Sequence, residues 1–452
     1  MGVVFRPDSH REKVDKGRAE ILFKSLVKGL EEGAVSEIVL GGKALLPEAA
    51  QWIVDHAMGL DVELEGSSTL KELTRVVSLA DIIAGLGEEE ALQTFRVLSS
   101  GLTKSPRVIV EHLDLSDNAM GEKGVRAFED LLVSSRESLR SLMMSNNGLS
   151  AEALAVLSEF LVGTSESTQL ERLHMPNNML GENAAAQLVR ILKVSPNLQD
   201  ICLASTRIPS DGMTEIAKAL LATKKLRRID FGDLSFENPN AILALRELLN
   251  DQKNLEFLGL RDAGVGDKGV SCIIQSLAHL RDSLKQLDLA GNDISAKGAK
   301  LVAILVQFSR GLEILCLDEN LLCTSGAKAI SQAIAESMDC SLTEISLAKC
   351  EIGPSGVSAI AKAVYSLESI TKVDLSGNAI PKSCVEEMGA ILGKALVVRD
   401  DEDDIDEDEV DEDNEEDEDE DEGEDEDDEA DEIEGMLDID GLVELYQNQA
   451  RV

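Results

Sequence analysis

The feature that most constrains the fold of this chain is an internal repeat. A string of one apolar residue, any residue and a second apolar residue recurs twelve times. The second apolar residues are Leu40, Leu79, Leu115, Met144, Met175, Leu203, Phe231, Leu260, Leu289, Leu317, Leu347 and Leu375. From Leu115 onward they stand 28–31 residues apart, and the wider first two steps predict insertions near the N-terminal end. A fixed period of this size indicates stacked supersecondary units rather than two or three independent domains.

Each repeat has the same internal order. The alternating string predicts a short strand with one buried face. Three residues after the second apolar residue, six repeats carry an asparagine, which we expect to point inward and pair backbone groups at the bend. These are Asn118, Asn147, Asn178, Asn292, Asn320 and Asn378, and Cys350 takes the same place in its repeat. The remainder of each repeat is predicted to form a helix, because a unit of 28 or 29 residues is long enough to contain one.

These repeats predict an α/β fold of the leucine-rich-repeat type. Helices are wider than the spacing between strands, so we expect a ribonuclease-inhibitor-like horseshoe, a solenoid of about twelve 28–29-residue units. The predicted organisation has four parts. Residues 1–30 form a flexible lead-in and a helical cap, residues 31–398 the repeat domain, and residues 399–435 a disordered acidic tail. Residues 436–452 are either a docking helix or an unstructured end, and Trp52 is predicted to belong to the core.

The negative charge is concentrated in one segment. The formal net charge is −43, and 29 of the 35 residues from Asp400 to Glu434 are Asp or Glu. Such a segment has little to bury and repels itself, which predicts disorder. Nucleic acid is therefore an unfavourable partner, and a basic protein surface is the better complement. The acids that face solvent from the strands, such as Asp114, Asp230, Asp288 and Asp374, fit either a solvated polar face or an acidic crescent that steers a basic partner.

The usual catalytic and metal-binding patterns are missing from the sequence. Its seven cysteines and five histidines are scattered without metal-ligand spacing, and Gly41–Ala44 lacks the spacing of a phosphate-binding loop. We therefore expect reduced thiols, no metal, no cofactor and no independent active site. No apolar run approaches the length of a membrane span, which predicts a soluble, intracellular protein without a membrane partner. We also expect a monomer.

Several strings resemble the corresponding repeats of Ran GTPase-activating proteins, particularly their plant-type branch. They are Leu113–Phe128, Leu142–Leu149, Ala204–Ile208 and Leu287–Ile294. The similarity covers roughly residues 20–395, and the acidic tail in the same order extends it to about residue 434. In that family the activator completes the site of Ran itself. An asparagine on the loop after a strand helps to position Ran's glutamine, and no arginine finger is inserted.

The resemblance implies particular site residues here. The matching asparagine is Asn146, and its spacing separates it from its neighbour. Asn147 stands at the inward position, so Asn146 is expected to face solvent. The resemblance further implies contacts to the GTPase from Asp81, Arg207, Asp233 and Asp262. One position departs from the family pattern, since Leu86 stands where an arginine is expected.

The resemblance therefore predicts a GTPase-activating protein for the GTP form of Ran, with a role in nucleocytoplasmic transport. The N-terminal targeting domain of the plant-type relatives finds no room in this chain. We therefore expect a cytoplasmic protein that reaches the nuclear envelope only through partners. Two alternatives stay open, a non-catalytic leucine-rich-repeat scaffold or inhibitor and an acidic histone-binding protein.

Overall fold

The computed structural model of the protein describes residues 3–7, 10–32, 35–58, 73–378, 380–399 and 438–450. The predicted acidic tail and most of the first predicted insertion lie outside these residues. The chain divides into two compact units, Met1–Ile208 and Pro209–Val452.

In the described residues of the first unit, seven strands form a parallel sheet in the order β1-β3-β5-β6-β7-β8-β9. A second, two-stranded sheet pairs β2 with β4. The strands are β1 Val3–Phe5, β2 Glu12–Val14, β3 Val35–Val39, β4 Lys43–Leu45, β5 Thr74–Ser78, β6 Val108–Asp114, β7 Ser141–Met143, β8 Arg172–His174 and β9 Asp200–Cys202.

The helices of the first unit follow the strands in the predicted alternation. They are α1 Lys16–Leu22, α2 Lys24–Glu31, α3 Pro47–Ile53, α4 Glu88–Lys104, α5 Gly121–Ala127, α6 Glu129–Ser135, α7 Ala151–Val162 and α8 Ala185–Lys193. A π-helical turn, Val54–Met58, extends α3, and a 3-10 turn, Glu182–Ala184, precedes α8. Trp52 in α3 is 9% exposed and stacks on His56, which agrees with its predicted place in the core.

The prediction of a flexible lead-in before residue 18 is wrong. Strand β1 pairs with β3, and β2 pairs with β4. The side chains of Phe5 and Val14 are buried, so these two short segments each contribute an apolar group to the core. They were not predicted because three residues are too few to establish a periodicity, and the pairing partner of each strand lies more than 30 residues further along the chain.

The second unit repeats the same pattern more regularly. Its sheet runs β10-β11-β12-β13-β14-β15-β16, all parallel. The strands are β10 Arg228–Asp230, β11 Phe257–Gly259, β12 Gln286–Asp288, β13 Ile314–Cys316, β14 Glu344–Ser346, β15 Lys372–Asp374 and β16 Leu396–Val397. The helices are α9 Ser210–Leu220, α10 Pro239–Asn250, α11 Gly266–Leu277, α12 Ala296–Phe308, α13 Cys323–Glu336, α14 Pro354–Tyr365, α15 Lys382–Leu392 and α16 Ile439–Ala450.

The core follows from the repeat. The central residues of neighbouring strands are in register, as in the series Leu258, Leu287, Leu315, Ile345 and Val373, and all are buried. Consecutive helices such as α12, α13 and α14 pack side by side. Each buried aliphatic side chain contributes about 1.5–3 kcal/mol. One repeat cannot bury its own apolar face, so its neighbours must stack on it. All twelve predicted strings contribute a strand, which confirms the leucine-rich-repeat fold.

The helix α16, which follows the acidic segment in sequence, is packed inside the second unit. Leu442 and Tyr446 on one of its faces are fully buried, against α12 and the 3-10 turn Ala278–Leu280. The Tyr446 ring lies 6.0 Å from that of Phe308, and its hydroxyl donates a hydrogen bond of 2.6 Å to the carbonyl oxygen of Ile274. Burial raises the pKa of this phenol well above its ordinary value.

We expect replacement of Tyr446 by alanine to release α16. The change removes a buried aromatic ring and its hydrogen bond, a loss of about 3–5 kcal/mol. A helix of this length is marginal in water by itself, so it should unfold once it is undocked. Hydrogen exchange read by mass spectrometry is expected to show lost protection in residues 439–450, while the repeats keep theirs. The exposed neighbour Gln447→Ala is the control, and protected α16 amides in Tyr446→Ala would contradict this account.

Candidate functional site

The asparagines that follow the strands form a buried ladder, as the sequence predicts. Asn178 is 2% exposed, and its amide nitrogen donates to the carbonyl oxygens of Met144 and Met175, at 2.9 and 2.8 Å. Its amide oxygen accepts from the backbone nitrogens of Asn147 and Leu149. One side chain thus pairs backbone groups of two neighbouring repeats. Asn118, Asn147, Asn292 and Asn320 are buried, Asn378 is half-buried, and all donate to carbonyl oxygens in the same way.

Cys350 and Thr206 occupy the ladder position in their repeats and also donate hydrogen bonds to carbonyl oxygens. The Cys350 thiol is fully buried and lies 3.1 Å from the carbonyl oxygen of Leu317, as expected. Burial raises the pKa of this thiol to about 12, so it stays protonated and can act as a donor. Thr206 was not predicted as a member. It is fully buried, and its hydroxyl donates to the carbonyl oxygen of Leu203 at 2.7 Å. A hydroxyl three residues after the second apolar residue is the signal that would have identified it.

One residue before the ladder position, every repeat has a residue with positive φ. We call these residues the loop row. In the first unit they are Gly42, Asp81, Asp117, Asn146, Asn177 and Ser205, and in the second unit Asp233, Asp262, Gly291, Glu319, Lys349 and Gly377. Their φ values run from 51° to 76°. Four of the predicted site residues therefore occupy the same structural position in their repeats: Asp81, Asn146, Asp233 and Asp262. The resemblance had implied them one by one, without this common position.

The left-handed conformation of the loop row has a local cause. The backbone nitrogen of ten of the twelve row residues, all but Ser205 and Gly377, donates a hydrogen bond to a backbone carbonyl oxygen of the next repeat. Asn146 donates in this way to Pro176, at 3.0 Å, and Asp262 to Ala290, at 2.8 Å. This conformation costs about 1–2 kcal/mol for most side chains, and glycine, asparagine and aspartate tolerate it best. Nine of the twelve row residues are of these three types, so the row was readable in the sequence.

Asn146 and its neighbour Asn147 point to opposite sides of the loop. Asn147 is fully buried in the ladder, whereas Asn146 is exposed. The spacing argument predicted this separation. The Asn146 amide nitrogen donates to the carboxylate of Asp117, the preceding member of the loop row, at 2.9 Å. Both Asn146 and Asp117 are anchored by their backbone nitrogens, and their side chains remain accessible to a partner.

Asn177 is a second candidate that the sequence reasoning missed. It is also the first asparagine of a pair, it is exposed, and its φ of 56° is close to the 51° of Asn146. Exposure and backbone conformation therefore do not distinguish the two amides. Their side-chain contacts do, because of these two amides only that of Asn146 donates to a carboxylate of the described residues.

Asp81 is engaged within the protein. A nitrogen of the Arg11 guanidinium lies 2.5 Å from each of its carboxylate oxygens. Arg11 directly precedes β2, in the segment that the sequence had suggested to be a flexible lead-in. A cationic side chain therefore stands beside Asp81, although Leu86 occupies the position where the family pattern has an arginine. Sequence spacing could not reveal this pair, because its members are 70 residues apart.

The polar side chains of the second unit's sheet are largely paired with one another. Arg228 binds Asp230 and lies over the ring of Phe257, 3.5 Å from its centroid. The guanidinium of Arg261 lies 3.5 Å from Asp288 and 3.7 Å from Asp318. Lys372 pairs with Asp374. These pairs reduce the negative potential expected of an acidic crescent, and they favour the alternative interpretation as a solvated polar face.

The sheet of the first unit carries a similar network around Asp200. Arg172 donates to this carboxylate at 2.8 Å, and the His174 ring nitrogen lies 2.7 Å from it. Although burial opposes the shift, the contacts with His174 and Arg172 hold the pKa of Asp200 below its usual range. Burial and the charge of Arg172 lower the pKa of His112. His174 is therefore part of a paired polar surface.

The comparisons with known proteins agree with this architecture. The family described as Leucine Rich repeat matches residues 110–128, 283–303 and 339–361, each of which contains a strand, a row residue and a ladder position. The chain has the leucine-rich-repeat fold. This fold explains the ladder and the loop row together, since both arise from one repeated strand–loop–helix unit.

Curated relatives share the repeats over part of their length. The leucine-rich-repeat protein is 29% identical over 247 residues to the NACHT, LRR and PYD domains-containing protein 3 of Macaca mulatta. This match covers 54% of the chain but 23% of that relative, so the chain spans about a quarter of the relative's length. It is 25% identical over 325 residues to the ribonuclease inhibitor of Sus scrofa, covering 65% of the chain and 69% of the inhibitor.

A solved structure of similar extent is the crystal structure of the Rad7 and Elc1 complex in yeast. One of its chains matches with a TM-score of 0.49 and 14% identity, and the match covers 85% of this chain and 83% of that one. This similarity is too low to support a conclusion about function.

The remaining site candidates of the leucine-rich-repeat protein are distributed over the two units. Arg207 is exposed in the first unit and lies one residue after the ladder position, outside the loop row. Asp233 and Asp262 are exposed neighbours in the loop row of the second unit. Burial, together with the charges of Glu319, Asp233 and Asp288, raises the pKa of Asp262 despite the nearby Arg261. A cationic group from a partner would relieve this repulsion.

Within the described residues, no group of three or more His, Cys, Asp or Glu side chains is arranged to hold a metal ion. In the same part of the leucine-rich-repeat protein, no helix is both long and apolar enough to cross a membrane.

Proposed function

We propose that this leucine-rich-repeat protein activates a Ran-type small GTPase in its GTP form, as a monomer in the cytoplasm and with a role in nucleocytoplasmic transport. The observation that carries the proposal is the placement of Asn146. Its exposed amide is fixed by its own backbone hydrogen bond and by Asp117, beside a buried ladder that makes the loop rigid.

An amide at this position suits the chemistry of GTP hydrolysis. Phosphoryl transfer depends mainly on the positioning of the attacking water and on electrostatic stabilisation. The side chain of an asparagine donates and accepts hydrogen bonds at once and adds no charge. It can therefore hold the glutamine of the GTPase in the orientation that aims the water. In this proposal the leucine-rich-repeat protein has no active site of its own, and it binds no metal or cofactor.

The residues proposed to contact the GTPase differ in how available their side chains are. Arg207, Asp233 and Asp262 are exposed and available to a partner. The raised pKa of Asp262 favours a basic group of the GTPase as its counterpart. Asp81 is the weaker candidate, because a contact with the GTPase would have to compete with its ion pair to Arg11.

A purified Ran-type GTPase loaded with GTP provides the test. In a single-turnover assay, substoichiometric amounts of the leucine-rich-repeat protein are expected to accelerate hydrolysis on the order of 10³–10⁵-fold, which corresponds to roughly 4–7 kcal/mol of the barrier. Heat-denatured protein is the control. Hydrolysis that stays at the intrinsic rate, even with the leucine-rich-repeat protein in excess, would rule the proposal out.

A non-catalytic scaffold or inhibitor is the second candidate function. It is favoured by the similarity to the ribonuclease inhibitor of Sus scrofa, of which the match covers 69%. Such a protein would bind a partner through its sheet and loops without changing the rate of GTP hydrolysis. The acidic histone-binding alternative depends on the acidic segment, which lies outside the described residues. If that alternative holds, replacing the Asp and Glu residues of 400–434 by Asn and Gln, which keeps α16, would abolish histone binding and leave any GTPase activation intact.

A further inference from the structure

The contact between Asp117 and Asn146 has a chemical direction. A carboxylate accepts hydrogen bonds and has none to donate when it is ionised. The Asn146 amide must therefore present its NH₂ group to Asp117, as the 2.9 Å contact between the Asn146 nitrogen and the Asp117 oxygen records. Because the amide is planar, its carbonyl oxygen then faces away from Asp117. An asparagine without such a partner could present either end to solvent.

The geometry of the loop row makes this contact reproducible. Asp117 has φ 60° and Asn146 has φ 51°, so both leave their loops in the same direction. The backbone nitrogen of Asp117 donates to Ser145, the residue directly before Asn146, at 2.9 Å. Asn146 donates onward to Pro176. The two side chains therefore start from neighbouring, fixed points of the backbone, and little side-chain freedom remains to be lost when they pair.

Asn177 serves as an internal comparison. It has the backbone conformation and exposure of Asn146, but the row residue before it is Asn146 rather than an aspartate. Among the described residues, no carboxylate accepts a hydrogen bond from the Asn177 amide. The local difference between these two exposed amides is the carboxylate of Asp117.

We propose that Asp117 is a positioning residue that orients the Asn146 amide, with its NH₂ group held by the carboxylate and its carbonyl oxygen directed to the GTPase. This inference rests on the proposed function, because it assigns Asp117 a role in that reaction. Asp117 itself touches neither the nucleotide nor the water. Its effect is to keep one of the two amide orientations populated, so that the amide oxygen is available to accept from the glutamine of the GTPase.

The decisive variant is Asp117→Asn, which keeps the shape of the side chain and tolerates the left-handed backbone. Its own amide can offer either an oxygen or an NH₂ group, so it no longer dictates the orientation of Asn146. We expect the maximal rate of stimulated hydrolysis to fall about tenfold, the value of one net hydrogen bond, in single-turnover assays at saturating activator. The concentration of activator that gives half the maximal rate should change less than twofold.

A matched control comes from the second unit. Glu319 has φ 56° at the same row position and is not assigned to the site, so Glu319→Gln removes an equivalent charge without touching Asn146. This variant is expected to keep the full stimulated rate. The Asp117→Asn change is also made in an Asn146→Gly background, where it should cause no further loss because the amide that it would orient is absent.

The outcomes separate this inference from the proposed function. If the unaltered protein fails to stimulate hydrolysis, the proposed function is wrong. If it stimulates and Asp117→Asn retains the full maximal rate, the positioning role alone is wrong. A raised half-saturation concentration at an unchanged maximal rate would also overturn it, because Asp117 would then contact the GTPase directly. A further loss in the Asn146→Gly background would overturn it for the same reason.

Discussion

Replacing Asn146 by glycine is expected to lower the stimulated rate of GTP hydrolysis about a hundredfold or more, with little change in the affinity for the GTPase. Glycine adopts the φ of 51° without strain, so the loop keeps its backbone and loses only the amide. The loss of one positioning group from phosphoryl transfer has an effect of about this size. The measurement is a single-turnover assay over a range of activator concentrations, which separates the maximal rate from half-saturation.

Asn177→Gly is the matched control for this experiment, since it removes an exposed amide from the same position of the next repeat. We expect it to retain stimulation within about threefold of the unaltered protein, a difference of less than 1 kcal/mol. A large loss in Asn177→Gly together with a normal rate in Asn146→Gly would transfer the role to Asn177. Normal stimulation in both variants would remove the proposed mechanism.

Replacing Asn292 by alanine is expected to lower the free energy of unfolding by about 3–5 kcal/mol. The Asn292 side chain is fully buried and donates to the carbonyl oxygens of Leu260, Leu289 and Ala290, at 2.7–3.0 Å. Its amide oxygen accepts from the backbone nitrogens of Ala263 and Val265. Each buried polar group left unpaired costs about 1–3 kcal/mol. Urea denaturation followed by circular dichroism gives the free energy.

Two further variants test whether hydrogen bonding causes this loss. Asn292→Cys keeps a weak donor and reproduces the residue found at the Cys350 position, so it should destabilise less than alanine. Asn240 is exposed, and Asn240→Ala should change the free energy of unfolding by less than about 0.5 kcal/mol. Equal losses for Asn292→Ala and Asn240→Ala would show that the ladder contributes nothing specific.

Local pattern sufficed to predict the repeat, the strands and the ladder. The alternating apolar residues and the asparagine three residues later report on the burial of single side chains within one repeat. This is why Asn147 could be assigned to the interior and Asn146 to the surface. The loop row was also present in the sequence, as a column of residues that tolerate positive φ, but its meaning became clear only once the backbone angles were compared.

These local patterns could not predict contacts between segments that are distant in the sequence. The strands β1 and β2 have only three residues each, and they form because β3 and β4 offer them unpaired edges. Three further contacts join residues that are far apart in the sequence: Arg11 with Asp81, Tyr446 with Ile274, and Arg261 with Asp318.

The sequence by itself determined that this chain stacks strand–loop–helix repeats and which side of each loop carries a buried amide. It could do so because the spacing of residues within one repeat decides which of its side chains are buried. Only the tertiary structure decided which exposed amide has a carboxylate beside it, and which acidic side chains are already neutralised. Those properties depend on what a neighbouring repeat or a distant terminus places within hydrogen-bonding distance, and no spacing within one repeat encodes it.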